Sequence, residues 1–303
     1  MIKPLYVKST EISPTAIVAV FGKTNGIDWS VPCLKNPHAQ SLGSFQTQFK
    51  RIQEAITTTF GNNYQQRIFM PKLGHGDTMT SARYGQYFNT VLTNHSSAKI
   101  YRSSLYVDAV TIPFGTVVGI RSGDCHTLIL CSGNKVCAGH ISRNTLLNPQ
   151  GIEEGVVVTI LDKMLAYFRD CTPGSMSAFI ACGISGEHFI HPLGDKRYGT
   201  YNKKMFRVLK ETYGYPSVLS KRGVLDIPEI IRLHLIKKKR MRPEDIKTDG
   251  LDTFSNPLCH SHKTGDRGRN LVLVANLLPV SSLYCFHVPF TACEYPKELD
   301  GLL

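Results

Sequence analysis

The stretch that decides the fold is Thr116-Val117-Val118-Gly119-Ile120, Ser122-Gly123-Asp124-Cys125, Thr127-Leu128-Ile129-Leu130-Cys131, Ser132-Gly133-Asn134 and Lys135-Val136-Cys137-Ala138-Gly139-His140, in that order along the chain. The turn signal at Ser132-Gly133-Asn134 separates two apolar runs and predicts an antiparallel strand pair. Cys125 then opens one strand and His140 closes its partner. The outer ends of a hairpin lie side by side, so the 15 positions between them (140 minus 125) become proximity in space.

Outward from the hairpin, residues 16–21 read as a buried strand. Residues 46–60 read as a helix, with Phe49, Ile52 and Ile56 at helical spacing. Gln66 to Met70 is a strand leading into the turn Gly74-His75-Gly76-Asp77, and Leu105 to Thr111 is another. Gly151 to Asp170 reads as a helix with an acidic start at Glu153 and Glu154 and a stripe of Val156, Ile160, Met164 and Phe168. Ser177 to Ala181 is a strand, followed by Cys182-Gly183-Ile184-Ser185-Gly186. Two further helices cover Lys203 to Tyr213 and Asp226 to Lys239, the second capped by Asp226 with Pro228 in its first turn. Leu271 to Leu277 is a late strand, and Pro289 and Pro296 argue for an irregular tail beyond Ser281. Strands and helices mix without strict βαβ alternation, which predicts an α+β (mixed α/β) fold.

The chain has 303 residues, 42% hydrophobic and 19% charged, an ordinary balance with ample length for a large core. Its net charge of +12 favours anionic partners such as phosphate, nucleotides or nucleic acid, although excess lysine also serves solubility. Nine scattered cysteines form no disulfide framework, which reads as a reducing compartment. No run approaches the ~20 apolar residues of a membrane span, so the expectation is a soluble, cytoplasmic protein.

Three fragments carry candidate chemistry: His75 between two glycines, Cys125 after Gly123-Asp124, and His140 after Gly139. Two imidazoles and a thiolate suit zinc, and three protein ligands leave a fourth position open. Copper is a poorer option, since a multicopper oxidase needs many more histidines. Each residue taken alone reads more readily as structural than as a ligand, and Cys125, Cys131 and Cys137 could all be core. The run Cys259-His260-Ser261-His262-Lys263, with Arg267 and Arg269 beyond it, leaves three readings open. They are a second metal site with His260 and His262 on one strand face, a phosphate-gripping loop, or an exposed basic turn. Lys237-Lys238-Lys239-Arg240 reads as a solvated helix end. No phosphate-binding loop, dinucleotide fingerprint or nucleophile elbow is present.

The order Gly74-His75-Gly76-Asp77, Val107-Asp108-Ala109, Ser122-Gly123-Asp124-Cys125, Ala138-Gly139-His140 resembles the laccase-domain family, first named multicopper polyphenol oxidoreductases and now regarded as zinc-dependent purine nucleoside phosphorylases. The resemblance spans roughly Ile17 to Asn276. It includes Cys182 to Gly186, Ser261-His262-Lys263 and Gly268-Arg269-Asn270. It implies one laccase-domain-like fold over residues 1–280, a mixed sheet core with surrounding helices, and a C-terminal extension over 281–303. Where the family continues with Ala-Gly-Trp-Arg-Gly, this chain reads Ile141-Ser142-Arg143-Asn144-Thr145, and the N-terminal family motif survives only as Ser41-Leu42-Gly43.

The resemblance implies that His75, Cys125 and His140 hold zinc and that a purine nucleoside is cleaved with phosphate, with adenosine deamination as a side activity. Asp124 is then the candidate for an acid/base or ligand-supporting role, and Arg143 for phosphate, with His262 and Lys263 beside it. Two rivals stand next to this: a relative that binds a nucleoside or nucleotide without turnover, and a basic nucleic-acid-binding protein.

Overall fold

The computed structural model describes residues 4–9, 15–23, 29, 42–60, 67–83, 88, 90–95, 98–147 and 159–276. Among them thirteen strands occur in chain order: β1 Tyr6–Ser9, β2 Ala16–Phe21, β3 Arg67–Lys72, β4 Met79–Ser81, β5 Thr90–His95, β6 Ala98–Tyr106, β7 Ala109–Thr111, β8 Thr116–Ser122, β9 His126–Ser132, β10 Lys135–Ile141, β11 Met176–Ala181, β12 Ile246–Thr248 and β13 Asn270–Asn276. They form two mixed sheets. One has the order β1-β2-β13-β8-β3-β6-β5, the other β12-β11-β9-β10-β7-β4. The decisive hairpin is present as expected, with His140 opposite Thr127 and Ile141 opposite His126.

Strand periodicity explains the layering. Side chains alternate between the faces of a strand, and β9 and β13 are buried along their whole length. Ile129 and Cys131 of β9 meet Val272 and Val274 of β13 in one core between the sheets. Leu128 and Leu130 face the opposite way, toward helices Ile160–Tyr167, Gly199–Tyr213 and Ile227–Lys239. Leu271, Leu273 and Ala275 face Ile52, Ala55 and Ile56 of the helix Leu42–Phe60. The result is four layers, helix, sheet, sheet, helix, which is the α+β (mixed α/β) architecture expected. Cys131 and Cys137 lie in different cores, and burial pushes both thiols far up. No described helix is long and apolar enough to cross a membrane.

Three sequence expectations need correction. Leu105–Thr111 is not one strand: β6 ends at Tyr106 and β7 begins at Ala109, in the other sheet. The break is at Val107-Asp108, where the chain crosses between sheets and Asp108 turns its carboxylate onto the Gly74-His75-Gly76 turn. The helix expected from Gly151 begins at Ile160, because Thr159 is extended and caps it by accepting from the Asp162 N–H. Residues 151–158, with Glu153, Glu154 and Val156, fall outside the described residues, as does the tail after Ser281. His260 and His262 do not share a strand face, since both lie in irregular chain before β13.

The lysine-rich helix end is more than solvated. Lys237 donates to the Thr212 carbonyl at 2.8 Å, and Lys239 to the Phe168 carbonyl at 2.7 Å. Both ammoniums sit at the carbonyl ends of other helices, where a cation is favoured.

Candidate metal centre

His75 is carried by the turn after β3. It adopts φ 60°, unusual for a residue with a side chain, between Gly74 and Gly76. Consecutive N–H groups in such a turn form a cup for an anion, and Asp108 supplies one. Its carboxylate accepts from the N–H of Gly74 (3.0 Å), His75 (2.9 Å) and Gly76 (2.9 Å). Gly74 is required for a separate reason: a Cβ there would come within 2.6 Å of the Tyr106 Cβ.

Asp108 also reaches β10. Its carbonyl accepts the His140 N–H at 2.7 Å, and its carboxylate stands 3.6 Å from His140 Nδ1. The second distance is an ion contact, beyond hydrogen-bond range. Burial acts to raise the Asp108 carboxyl, but His140 and the glycine N–H groups outweigh it and hold the carboxyl below its usual value. His140 is 2% exposed. Burial acts to lower its pKa, yet the Cys125 sulfur and the Asp108 carboxylate raise it to about 9. His75 is exposed as a residue, but partial burial of its ring and the neighbouring His140 lower its pKa.

Cys125 is half-buried in the turn between β8 and β9, closed by the Ser122 hydroxyl donating to the Cys125 carbonyl. The ligand atoms of His75, Cys125 and His140 all lie within 4.8 Å of one another, the one such set of three among the described residues. Two ligands of one zinc ion stand roughly 3.5 Å apart, given bonds of about 2.0–2.3 Å, so the set is close to that geometry. His140 Nδ1 is buried and has no hydrogen-bond partner among the described residues. The donor set of two imidazoles and a thiol fits a metal ion, with His140 Nδ1 turned to the supporting Asp108 carboxylate, and the exposed His75 leaves one side open.

The remaining sequence candidates separate into two groups. Asp124 accepts from the Thr253 hydroxyl (2.9 Å), the Ser261 hydroxyl (2.7 Å) and the Lys263 N–H (2.8 Å), tying the loop 253–263 to the residue beside Cys125. His262 packs against Gly123, with 3.5 Å between its Cβ and the place a Gly123 Cβ would take. His260 is structural: it is buried, its Nδ1 is 3.0 Å from Asp266, and Lys23 pairs with the same carboxylate at 2.7 Å. Arg143 and Lys263 are brought together, lining a cleft of about 560 Å³. Arg143 is the first residue of a short helix capped by Ser142, and its guanidinium lies 5.6 Å over the Tyr201 ring.

Sequence reasoning missed Asp108 as the part that organises the centre, and missed His191 and Asn202 in the cleft. For Asp108 a signal existed. A carboxylate inside Val107-Asp108-Ala109-Val110 has to be paired if the run is buried. Asn202 carried none, because its place depends on how the helix Gly199–Tyr213 docks.

No family model matches the sequence, and no curated protein is similar to it. Solved structures share its fold. NMB0706, a DUF152 family protein from Neisseria meningitidis, superimposes with a TM-score of 0.59 at 13% identity, covering 91% of this chain and 100% of its own. The hypothetical protein YfiH from Bacillus licheniformis gives 0.59 at 12% identity, covering 87% and 93%. YlmD from Geobacillus stearothermophilus gives 0.60 at 14% identity, covering 89% and 94%.

Proposed function

We propose that this chain, which has the laccase-domain fold, is a zinc-dependent purine nucleoside phosphorylase that cleaves the N-glycosidic bond of adenosine or inosine with phosphate. The observation that carries the reading is the convergence of His75, Cys125 and His140 within 4.8 Å at a half-open site. Zinc held there would supply Lewis-acid chemistry. The chain's own residues would do the rest. Asp108 holds both histidines in place, and such support sets metal affinity. Arg143 and Lys263 would grip phosphate, Arg143 through paired hydrogen bonds. Asp124, with three hydrogen bonds to one loop, positions Lys263 and His262 in preference to moving a proton.

The test is zinc content by elemental mass spectrometry on wild type and Cys125→Ala, with base release from adenosine and inosine followed with and without phosphate. One zinc per chain, lost in the variant together with phosphate-dependent base release, supports the reading. Absence of zinc from the wild type removes it.

One observation favours a second reading, a relative that holds a nucleoside or nucleotide without turning it over. Ile141-Ser142-Arg143-Asn144 stands where the family's tryptophan-containing motif would be, and Ser142 with Thr145 closes a capping box there. Zinc and nucleoside binding with no product after long incubation would select it.

A further inference from the structure

Part of the +12 charge is concentrated on one helix face. The helix Gly199–Tyr213 buries Met205, Phe206, Val208 and Leu209 and turns Lys203, Lys204, Arg207 and Lys210 to solvent. At helical spacing Lys203, Arg207 and Lys210 fall within about 60° of one another around the axis, in a line ~10 Å long. None of the four cations pairs with a carboxylate among the described residues, and Glu211, the one acidic residue of the helix, pairs with none of them. Like charges three and four residues apart destabilise a helix, and no acidic residue stands in the first turn to complement the dipole. The stripe therefore works against the element that carries it.

At the head of this helix the chain adds exposed Lys196 and Arg197 and an aromatic ring, Tyr198, which is 51% exposed. The Arg197 guanidinium lies 5.0 Å over that ring. The N–H groups of Arg197 and Tyr198 both donate to the Asp195 carboxylate, at 2.8 and 2.6 Å, which fixes the backbone that presents them. A lipid surface calls for a helix with a free apolar face, and the apolar face of this one lies in the core. An acidic protein segment answers the cations and leaves the ring without a stacking partner. A single-stranded nucleic acid answers both, with phosphates along the cations and a base on the ring.

We propose that the outer face of the helix Gly199–Tyr213 is a docking surface for single-stranded nucleic acid, whose phosphates track Lys203, Arg207 and Lys210 while one base stacks on Tyr198. Such binding reads backbone and ring, and so is tolerant of sequence. The surface uses no residue of the metal centre, and the inference stands apart from the phosphorolysis reading.

The test is fluorescence anisotropy of the full chain with a labelled single-stranded oligonucleotide of mixed sequence and with the same sequence as duplex, over a series of salt concentrations. The variants are the triple Lys203→Gln, Arg207→Gln, Lys210→Gln, the single Tyr198→Ala, and Lys50→Gln as a control, exposed on the helix Leu42–Phe60 in the opposite layer. Glutamine keeps the helix propensity and leaves the buried face untouched. Single-strand affinity is expected to fall with salt at a logarithmic slope of about −0.7 per phosphate contacted, and the triple variant should lose roughly 2 of that slope and at least about tenfold in affinity at low salt. Tyr198→Ala should weaken the single strand at least about fivefold and leave the duplex unchanged. Lys50→Gln should change neither. A triple variant with wild-type affinity and slope overturns the proposal. So does a duplex bound as tightly as the single strand. If the triple variant fails to fold, an unchanged slope in Arg207→Gln overturns it instead. Phosphatidylserine vesicles or polyglutamate that bind this face more tightly than the oligonucleotide also overturn it, and assign the stripe to a membrane or to an acidic protein.

Discussion

At the scale of single residues, Asp108 holds the most consequence. One buried carboxylate satisfies three N–H groups of the His75 turn and faces His140, so both histidines of the centre depend on it. Replacing Asp108 with Asn keeps the volume but sets an amide N–H against backbone donors. Zinc affinity, measured by competition with a chromogenic chelator, is expected to fall ~10–100-fold. Asp249 gives a prediction of a different kind. Burial pushes its carboxyl up to about 6, against the partial relief of accepting the Cys182 N–H at 2.7 Å. With the folded value above the unfolded 3.8, the folded state binds more protons in that interval. The contribution to stability is present below about 4 and lost as pH rises through about 6. Thermal midpoints of wild type and Asp249→Asn compared across this range should diverge, the variant gaining on wild type as pH rises. Parallel curves would show that Asp249 does not titrate there.

At the scale of elements, two contacts decide how the loops are held. Gly183, in the turn after β11, lies against the ring of His126, which is 4% exposed; a Cβ at Gly183 would come within 2.4 Å of that ring. Gly183→Ala should therefore cost about 1–3 kcal/mol as an overpacked core position, read by chemical denaturation. A variant as stable as wild type would mean that the turn can move away from β9. The lysine-rich helix end makes the second case. The Lys239 ammonium is bonded to a carbonyl of a neighbouring element, whereas the exposed Lys238 ammonium has no hydrogen-bond partner among the described residues. Lys239→Ala is expected to cost ~0.5–1.5 kcal/mol and Lys238→Ala nothing measurable. Equal effects would return the whole run to simple surface charge. These lysines are spent partly on helix ends, which lessens what the +12 charge says about nucleic acid.

At the scale of the whole molecule, the metal centre joins three connections: the turn after β3, the turn between β8 and β9, and the far end of β10. β3 and β8 belong to one sheet, and β9 and β10 to the other. An ion held there links the two sheets, and it stabilises the folded state by mass action, ~2.7 kcal/mol at a free concentration of 100 times Kd. Differential scanning calorimetry should show a thermal midpoint that rises with added zinc in wild type and is flat in Cys125→Ala. A zinc-independent midpoint in wild type would remove the ion from the fold's energetics.

What the chain determined by itself is the local part. The β9–β10 hairpin, the Asp226 cap and the strand at residues 16–21 follow from turn chemistry and periodicity, which act over a few residues. The pairing of Cys125 with His140 was legible for the same reason, because one hairpin fixes it. His75 entered only through the resemblance, since 50 positions of sequence separate it from Cys125 and no local rule spans them. Tertiary structure alone decided that Asp108 breaks the expected Leu105–Thr111 strand to serve the centre, that His260 belongs to Asp266, and that Arg143, Lys263 and Asn202 line one cleft. Buried charges and unpaired acceptors find their partners by how sheets and helices dock, and docking depends on the whole core, not on any one segment.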